Sequence, residues 1–166
     1  MTKQIITKEL LDELFEYKNG SLYWKVTLSN RGKIGNKAGS VGNCGYLRVG
    51  INGKEYRNHR LIFLMHNGYL PDILDHIDNN CLNNKIENLR EATQSQNLQN
   101  KKLGKNNTSG IKNVSWNKEK NKWLVSISLK NNGKSQFIGY YADIELAELI
   151  AIEAREKYHG TFANHG

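Results

Sequence analysis

Cysteine is nearly absent from this chain of 166 residues, which has only Cys44 and Cys81. They lie far apart, and neither belongs to a Cys-x-x-Cys pair. That excludes a structural zinc site of the usual spacing. Two lone thiols fit a reducing compartment, and their spacing leaves a disulfide open. Proline is scarcer still, with Pro71 the sole example. No apolar run approaches the roughly 20 residues that span a bilayer, and no signal peptide is apparent. The expectation is a soluble, cytoplasmic protein with no membrane partner. Acidic residues are in deficit, giving a net charge of +8 and a pI near 9.4. Residues 101–134 hold nine lysines against a single acid, Glu119. Such an excess favours a polyanionic partner, the alternative being a solvated lysine-rich surface.

The length suits one ordinary domain or two small ones. Residues 5–17 (IITKELLDELFEY) place Leu10, Leu11, Leu14 and Phe15 on one side of a helix, with Thr7 as N-cap and Asn19-Gly20 as its end. Residues 21–26 alternate like a strand. The stretch from Gly32 to Gly45 is too polar and glycine-rich for a regular element. Residues 46–51 and 54–59 flank Asn52-Gly53, a two-residue hairpin signal. Residues 59–67 (HRLIFLMHN) read as a buried helix. Thr93 and Gln96 form a capping-box pattern, so a short helix starts near Thr93 with Asn97 in its first turn, facing back toward the strands. Residues 101–110 (KKLGKNNTSG) lack apolar periodicity and read as a basic linker. Beyond them come three strands, with a hairpin signal at Asn132-Gly133. An amphipathic helix over 144–158 follows, capped by Asp143, with Ala147, Ile150, Ala151, Ala154 and Tyr158 on one face.

The chemistry concentrates in residues 74–97, LDHIDNNCLNNKIENLREATQSQN. Asp75-His76 is followed by Asn88 at twelve residues from the histidine and Asn97 at twenty-one. A histidine can take a proton from water, and an acid with an amide oxygen can hold a divalent metal against a phosphate. With the flanking His59-Arg60-Leu61 and Asn88-Leu89-Arg90, the pattern over roughly residues 56–101 resembles the HNH endonucleases. It is most similar to HNH homing endonucleases with Asn in the last motif position. The resemblance implies two short strands and a helix around one metal ion. On that basis His76 is the expected general base, and Asp75 and Asn97 the expected ligands of Mg2+, or of Mn2+. Neighbours on a strand point in different directions, so Asp75 and His76 can approach a phosphate separately. Asn88 is expected, by the resemblance, to bond backbone across the loop and orient His76. Asp78, Asn83 and Asn84 are expected to shape that loop. Arg60 either holds a phosphate bidentately or makes a structural salt bridge. His66, His159 and His165 are read as surface or packing residues.

The segment from about 108 to 164 resembles the Apetala/ethylene-response-factor type of DNA-binding domain. GIKNVSW, KWLVSI, FIGYY, the alanine-rich helix and YHGTFAN carry the resemblance. It implies a three-stranded sheet laid in the DNA major groove. Trp123 and Ile127 should face the helix, and Ser115, Ser126, Ser128, Ser135 and Phe137 the DNA. Lys112, Lys118, Lys120, Lys122, Lys130 and Lys134 are candidates for phosphate contacts. Members of that family carry arginines on this sheet that read guanine. Here those positions are mostly Ser and Lys, which argues against a GC-rich target.

The expected fold class is thus α+β. A ββα-metal nuclease domain (residues 1–100) is followed by a linker (101–108) and a three-stranded antiparallel sheet packed on one helix (109–166). The expected function is a metal-dependent DNA endonuclease acting on double-stranded DNA, resembling free-standing phage homing enzymes, with a monomer able to nick one strand. The alternative is a DNA-binding regulator with an inactive HNH half.

Overall fold

The computed structural model describes residues 6–28, 32–129 and 135–166. The Asn132-Gly133 turn signal, Lys130 and Lys134 lie outside them. Mixed α and β elements form two compact units, Met1–Glu91 and Ala92–Gly166. No helix among the described residues is long and apolar enough to cross a membrane. Cys44 and Cys81 are free thiols, and Cys81 donates to the Gly45 carbonyl at 3.2 Å.

The first unit opens with α1 (Lys8–Leu14), capped by the Thr7 side chain, which accepts from the Leu10 N–H. The helix is shorter than its periodicity suggested. Phe15 takes an extended conformation and begins β1 (Phe15–Lys18), which pairs antiparallel with β2 (Ser21–Trp24). Asn19-Gly20 is therefore a hairpin turn and not a helix end. Its φ values of 46° and 82° are the left-handed pair that matches the strand twist. Phe15 and Tyr17 serve both periodicities, and pairing with Trp24 and Leu22 decides for the strand.

A second sheet follows, ordered β3 (Ser40–Val41), β4 (Leu47–Ile51), β5 (Lys54–Arg57), with Asn52-Gly53 turning the last hairpin as expected. The two-residue β3 lies inside the glycine-rich stretch that promised no regular element. The chain then enters α2 (Asn58–Asn67), which is buried along most of its length and ends on left-handed Gly68. Leu11, Phe15, Leu22, Val49, Ile51, Ile62 and Leu89 are among the buried side chains of one core. Removing one of them from water contributes about 1.5–3 kcal/mol. The short strands β6 (Leu74–His76) and β7 (Leu89–Glu91) pair antiparallel, joined by residues 77–88 with a 3-10 turn at Ile86–Asn88.

The second unit starts with α3 (Gln94–Gln99), where the Thr93–Gln96 capping box is fully formed. The strands β8 (Val114–Asn117), β9 (Lys122–Ser128) and β10 (Ser135–Tyr141) make an antiparallel sheet ordered β10-β9-β8. The amphipathic segment forms α4 (Ile144–His159), with Asp143 accepting from the Leu146 N–H at 2.8 Å. Val114 and Val125 bury against Ala147 and Ala151, whose small side chains let helix and sheet approach closely. Residues 101–110 form neither helix nor strand.

One close approach ties the hairpin of the first unit to the loop before β7. A Cβ on Gly20 would lie 2.8 Å from the Lys85 nitrogen and 3.1 Å from the Asn84 carbonyl carbon. Tyr17 reaches the same loop, its hydroxyl accepting from the Ile86 N–H at 3.1 Å. We expect Gly20→Ala to combine left-handed strain with a backbone clash and to cost about 1–3 kcal/mol. Urea unfolding of the full chain measures this. A variant as stable as the parent would show that the approach does not constrain the loop.

Candidate functional site

The loop between β6 and β7 has few apolar side chains, and side-chain hydrogen bonds organise it. Asn88 is the centre. Its Oδ1 accepts from the Asp78 N–H at 3.1 Å. Its Nδ2 donates to Asp78 Oδ1 at 2.9 Å and to the Asn83 carbonyl at 2.8 Å. Asp78 also accepts from Asn83 Nδ2 and from the Asn80 N–H. Burial acts to raise the Asp78 pKa, but the bonds from Asn83, Asn80 and Asn88 outweigh it, so the net shift is downward and the carboxylate form is favoured. The Asn88 carbonyl receives the Ile77 N–H at 2.9 Å, closing the loop beside His76.

His76 is buried, with 6% of its surface exposed. Its Nε2 lies 2.9 Å from Asn84 Oδ1. An amide oxygen only accepts, so Nε2 carries the hydrogen of this bond, and in the neutral ring Nδ1 carries the lone pair. Asn84, itself 2% exposed, is thus the residue that fixes the tautomer. Nothing in the sequence distinguishes it from the other asparagines of this loop.

The other side of the ring meets His59. The two imidazoles stand edge to face, 4.9 Å between centroids. Tyr46 packs on His59 at 5.2 Å, and the Arg57 guanidinium lies over Tyr46 at 4.6 Å. Burial, reinforced by His76, Arg57 and Arg60, pushes the His59 pKa down to about 3. His59 is therefore a neutral ring, and its buried Nδ1 has no hydrogen-bond partner.

Asp75 points elsewhere, as alternation on a strand requires. Its Oδ2 accepts from Arg90 Nε at 3.0 Å, and Arg90 is its direct cross-strand partner. The side chains are 7% and 17% exposed, so the ion pair is largely removed from water. Among the described residues no group of three or more His, Cys, Asp and Glu is placed to hold a metal ion. Arg60 is engaged with backbone rather than with a carboxylate. Its Nη1 and Nη2 donate to the carbonyls of Asp72 and Pro71, holding the chain that leads into β6. His66 bonds the Ile62 carbonyl one turn back in α2.

In the second unit, Asn97 lies half-buried on α3, its N–H bonded to the Thr93 carbonyl at 3.0 Å. Lys112 is engaged internally: its Nζ donates to the Gln99 carbonyl at 2.8 Å and to that of Lys101. Burial and the nearby Arg155 charge pull its pKa down to about 8. Arg155 is fully buried and donates to the Lys112 carbonyl and to His165 Nδ1. His159 bonds the Ser128 carbonyl at 3.0 Å. Lys118, Lys120 and Lys122 are exposed around the β8–β9 turn. Register puts Ser115, Ser126, Ser128, Ser135 and Phe137 on the sheet face opposite α4, together with two residues the sequence reading missed, Leu124 and Tyr140.

A family model described as HNH endonuclease matches residues 56–99. Protein 3.8 of Escherichia phage T7 is 34% identical over 114 residues, spanning 66% of this chain and 90% of that protein. A solved structure described as DNA binding and cleavage by the HNH homing endonuclease I-HmuI is similar at 24% identity. The match covers 93% of this chain and 90% of that one, with a TM-score of 0.43. The chain carries an HNH endonuclease domain over residues 56–99.

Breaking a largely buried ion pair from one side leaves a desolvated charge. We expect Arg90→Ala to lower the unfolding free energy by about 3–5 kcal/mol. Chemical denaturation at neutral pH reads this, and a loss under about 0.5 kcal/mol, the range of ordinary surface changes, would show that Asp75 does not depend on Arg90.

Proposed function

We propose that the chain is a metal-dependent DNA endonuclease that hydrolyses phosphodiester bonds in double-stranded DNA, in the manner of phage homing enzymes. The observation that carries this reading is His76. Within the residues matched to the HNH family, it is a buried imidazole whose Nε2 is held by Asn84 Oδ1 at 2.9 Å. That leaves Nδ1 as the basic nitrogen, able to take the proton from an attacking water. Asn84 fixes the ring from one side and neutral His59 packs against it from another. Asn88 keeps the loop that carries Asn84 closed.

Asp75 is the residue that would hold a divalent ion, Mg2+ or Mn2+, with the Asn97 amide oxygen as the second ligand expected from the sequence. Carboxylate and amide are hard oxygen donors of the kind such ions take alongside water and phosphate oxygens. Arg90 donates to Asp75 Oδ2, and a carboxylate can serve a hydrogen-bond donor and a hard cation together, so the donor chemistry fits. A bound ion would supply charge relief at the phosphate and the leaving oxygen. With one such site, a monomer nicks a single strand. The second unit is proposed as a duplex-binding module of the Apetala type, with Lys118, Lys120 and Lys122 at phosphates and the serine-bearing sheet face toward the bases. Lys112 leaves that set, because its ammonium already serves two carbonyls.

The Asp75–Arg90 pair is also what a DNA-binding regulator with a silent nuclease half would keep for stability alone. A plasmid-nicking assay with and without divalent metal separates the two readings. Metal-dependent conversion of supercoiled to open-circular plasmid supports the nuclease, and duplex binding without nicking in any divalent metal supports the regulator.

For the nuclease we expect His76→Ala to lower cleavage roughly 10²–10⁴-fold and to leave duplex binding near the parent value. Turnover close to normal at neutral pH would remove His76 from the role of base. Asp75→Ala and Asn97→Ala should each raise the metal concentration giving half-maximal nicking. Cleavage at full rate in EDTA would rule out the metal altogether.

A further inference from the structure

The face of the β8–β9–β10 sheet turned away from α4 is unusual in composition. Cross-strand partners share a face, so the pairs Ser115–Leu124, Leu124–Tyr140, Ser126–Phe137 and Ser128–Ser135 define it. Phe137 and Tyr140 stand three residues apart and would fall on opposite faces of a regular strand. The register shift between Phe137 and Gly139 brings both to the same side. Their rings touch, with centroids 5.2 Å apart. Phe137 is 53% exposed and Tyr140 38%. Beside them, Leu124 is the cross-strand partner of Tyr140, within side-chain reach. The result is a continuous apolar strip bordered by serines.

We propose that this strip selects DNA by apolar contact with thymine methyl groups, with Leu124, Phe137 and Tyr140 as the specificity-determining residues. The proposal rests on the reading of the second unit as a duplex-binding module.

No arginine lies on β8, β9 or β10. The one arginine of the second unit, Arg155, is buried on α4. Bidentate guanine readout is therefore not available from this face. Serine hydroxyls both donate and accept, so they discriminate poorly among base edges. What remains to discriminate is apolar surface, and only thymine presents a methyl in the major groove. A polyanion is the occupant that the surrounding charge favours. Lys118, Lys120 and Lys122 border the face at the β8–β9 turn, with Glu119 the only acid there. The mutual packing of the Phe137 and Tyr140 rings, tilted by 56°, favours a paired duplex over a single strand, whose unpaired bases need open ring faces to stack on.

The test uses the full chain in EDTA. Duplexes with a random centre are enriched by successive rounds of binding. The best is then remade with deoxyuridine in place of each thymidine in turn, which keeps the pairing and deletes only the methyl. At one or more positions the substitution should weaken binding about fivefold or more. In a Phe137→Ala/Tyr140→Ala double variant, shown to be folded by circular dichroism, the thymidine-to-deoxyuridine ratio should fall toward one. Equal affinity for every substituted duplex overturns the proposal. So does full discrimination by the double variant, which would assign methyl reading to other residues. Tighter retention of the unpaired strand would give the rings a stacking role and overturn major-groove reading. A chain that binds neither duplex nor single strand at low salt fails at the earlier step, DNA binding itself, and the thymine assignment falls with it.

Discussion

The first unit depends on how a nearly core-less loop is kept in one shape. The strands β6 and β7 are three residues each, too short to hold their register by backbone bonds alone. Leu89 joins them to the core as a buried side chain, and half-buried Leu74 and Ile86 pack against it. The rest is polar. Asn88 bonds both backbone and side chain of Asp78 and the Asn83 carbonyl, and so closes the loop upon itself. In a loop with so few apolar contacts, satisfied hydrogen bonds are the means of fixing a single conformation. The N-terminal hairpin then backs the loop from outside, through Tyr17 and the close approach at Gly20. His76 inherits its precision from this arrangement, since its partner Asn84 is a member of the same loop.

The second unit places its charges differently from the first impression its lysines give. Lys112 and Arg155 are drawn inward, satisfying carbonyls of the segment that leads into β8. Burying a guanidinium is costly unless it is hydrogen-bonded, and Arg155 does bond the Lys112 carbonyl and His165. With α4 contributing only alanines at its closest approach to the sheet, these polar links add definition that so small an apolar core cannot provide. Cations at the β8–β9 turn, by contrast, stay exposed. Composition alone cannot separate these two kinds of lysine, because the difference lies in which carbonyls end up within reach.

Much of the fold was legible in the sequence, and for identifiable reasons. Thr93 with Gln96, Asp143 and Asn52-Gly53 each carry a local hydrogen-bond or dihedral requirement that few other residues meet, and the structure uses each as expected. Asn19-Gly20 carries the same dihedral signal but sits after a helical pattern. Only pairing with β2 reveals it as a hairpin turn. Arg60 illustrates a further limit: a guanidinium is a fork of donors, and carbonyls at Pro71 and Asp72 satisfy it as well as a phosphate or a carboxylate would. Within the site, Asp75, His76 and Asn88 stood out by spacing, whereas Asn84 did not. Its role depends on the path of a loop that five asparagines share, at 79, 80, 83, 84 and 88.

Tyr140 and Leu124 escaped notice for a different reason. Strand parity is a strict rule of period two, so a single extra residue reverses every assignment beyond it. The shift in β10 does this between Phe137 and Gly139, moving Tyr140 to the open face and Tyr141 to the buried one. Leu124 was masked by its type, since an apolar residue in the middle strand of a sheet is ordinarily read as core. Its neighbours Val125 and Ile127 are the core residues, fully buried on the other side. A two-sided sheet with one helix has room for only one apolar face against that helix. The aromatic and aliphatic surface left on the other face is then a feature that packing within the unit does not account for, and it has to be explained by what the face meets.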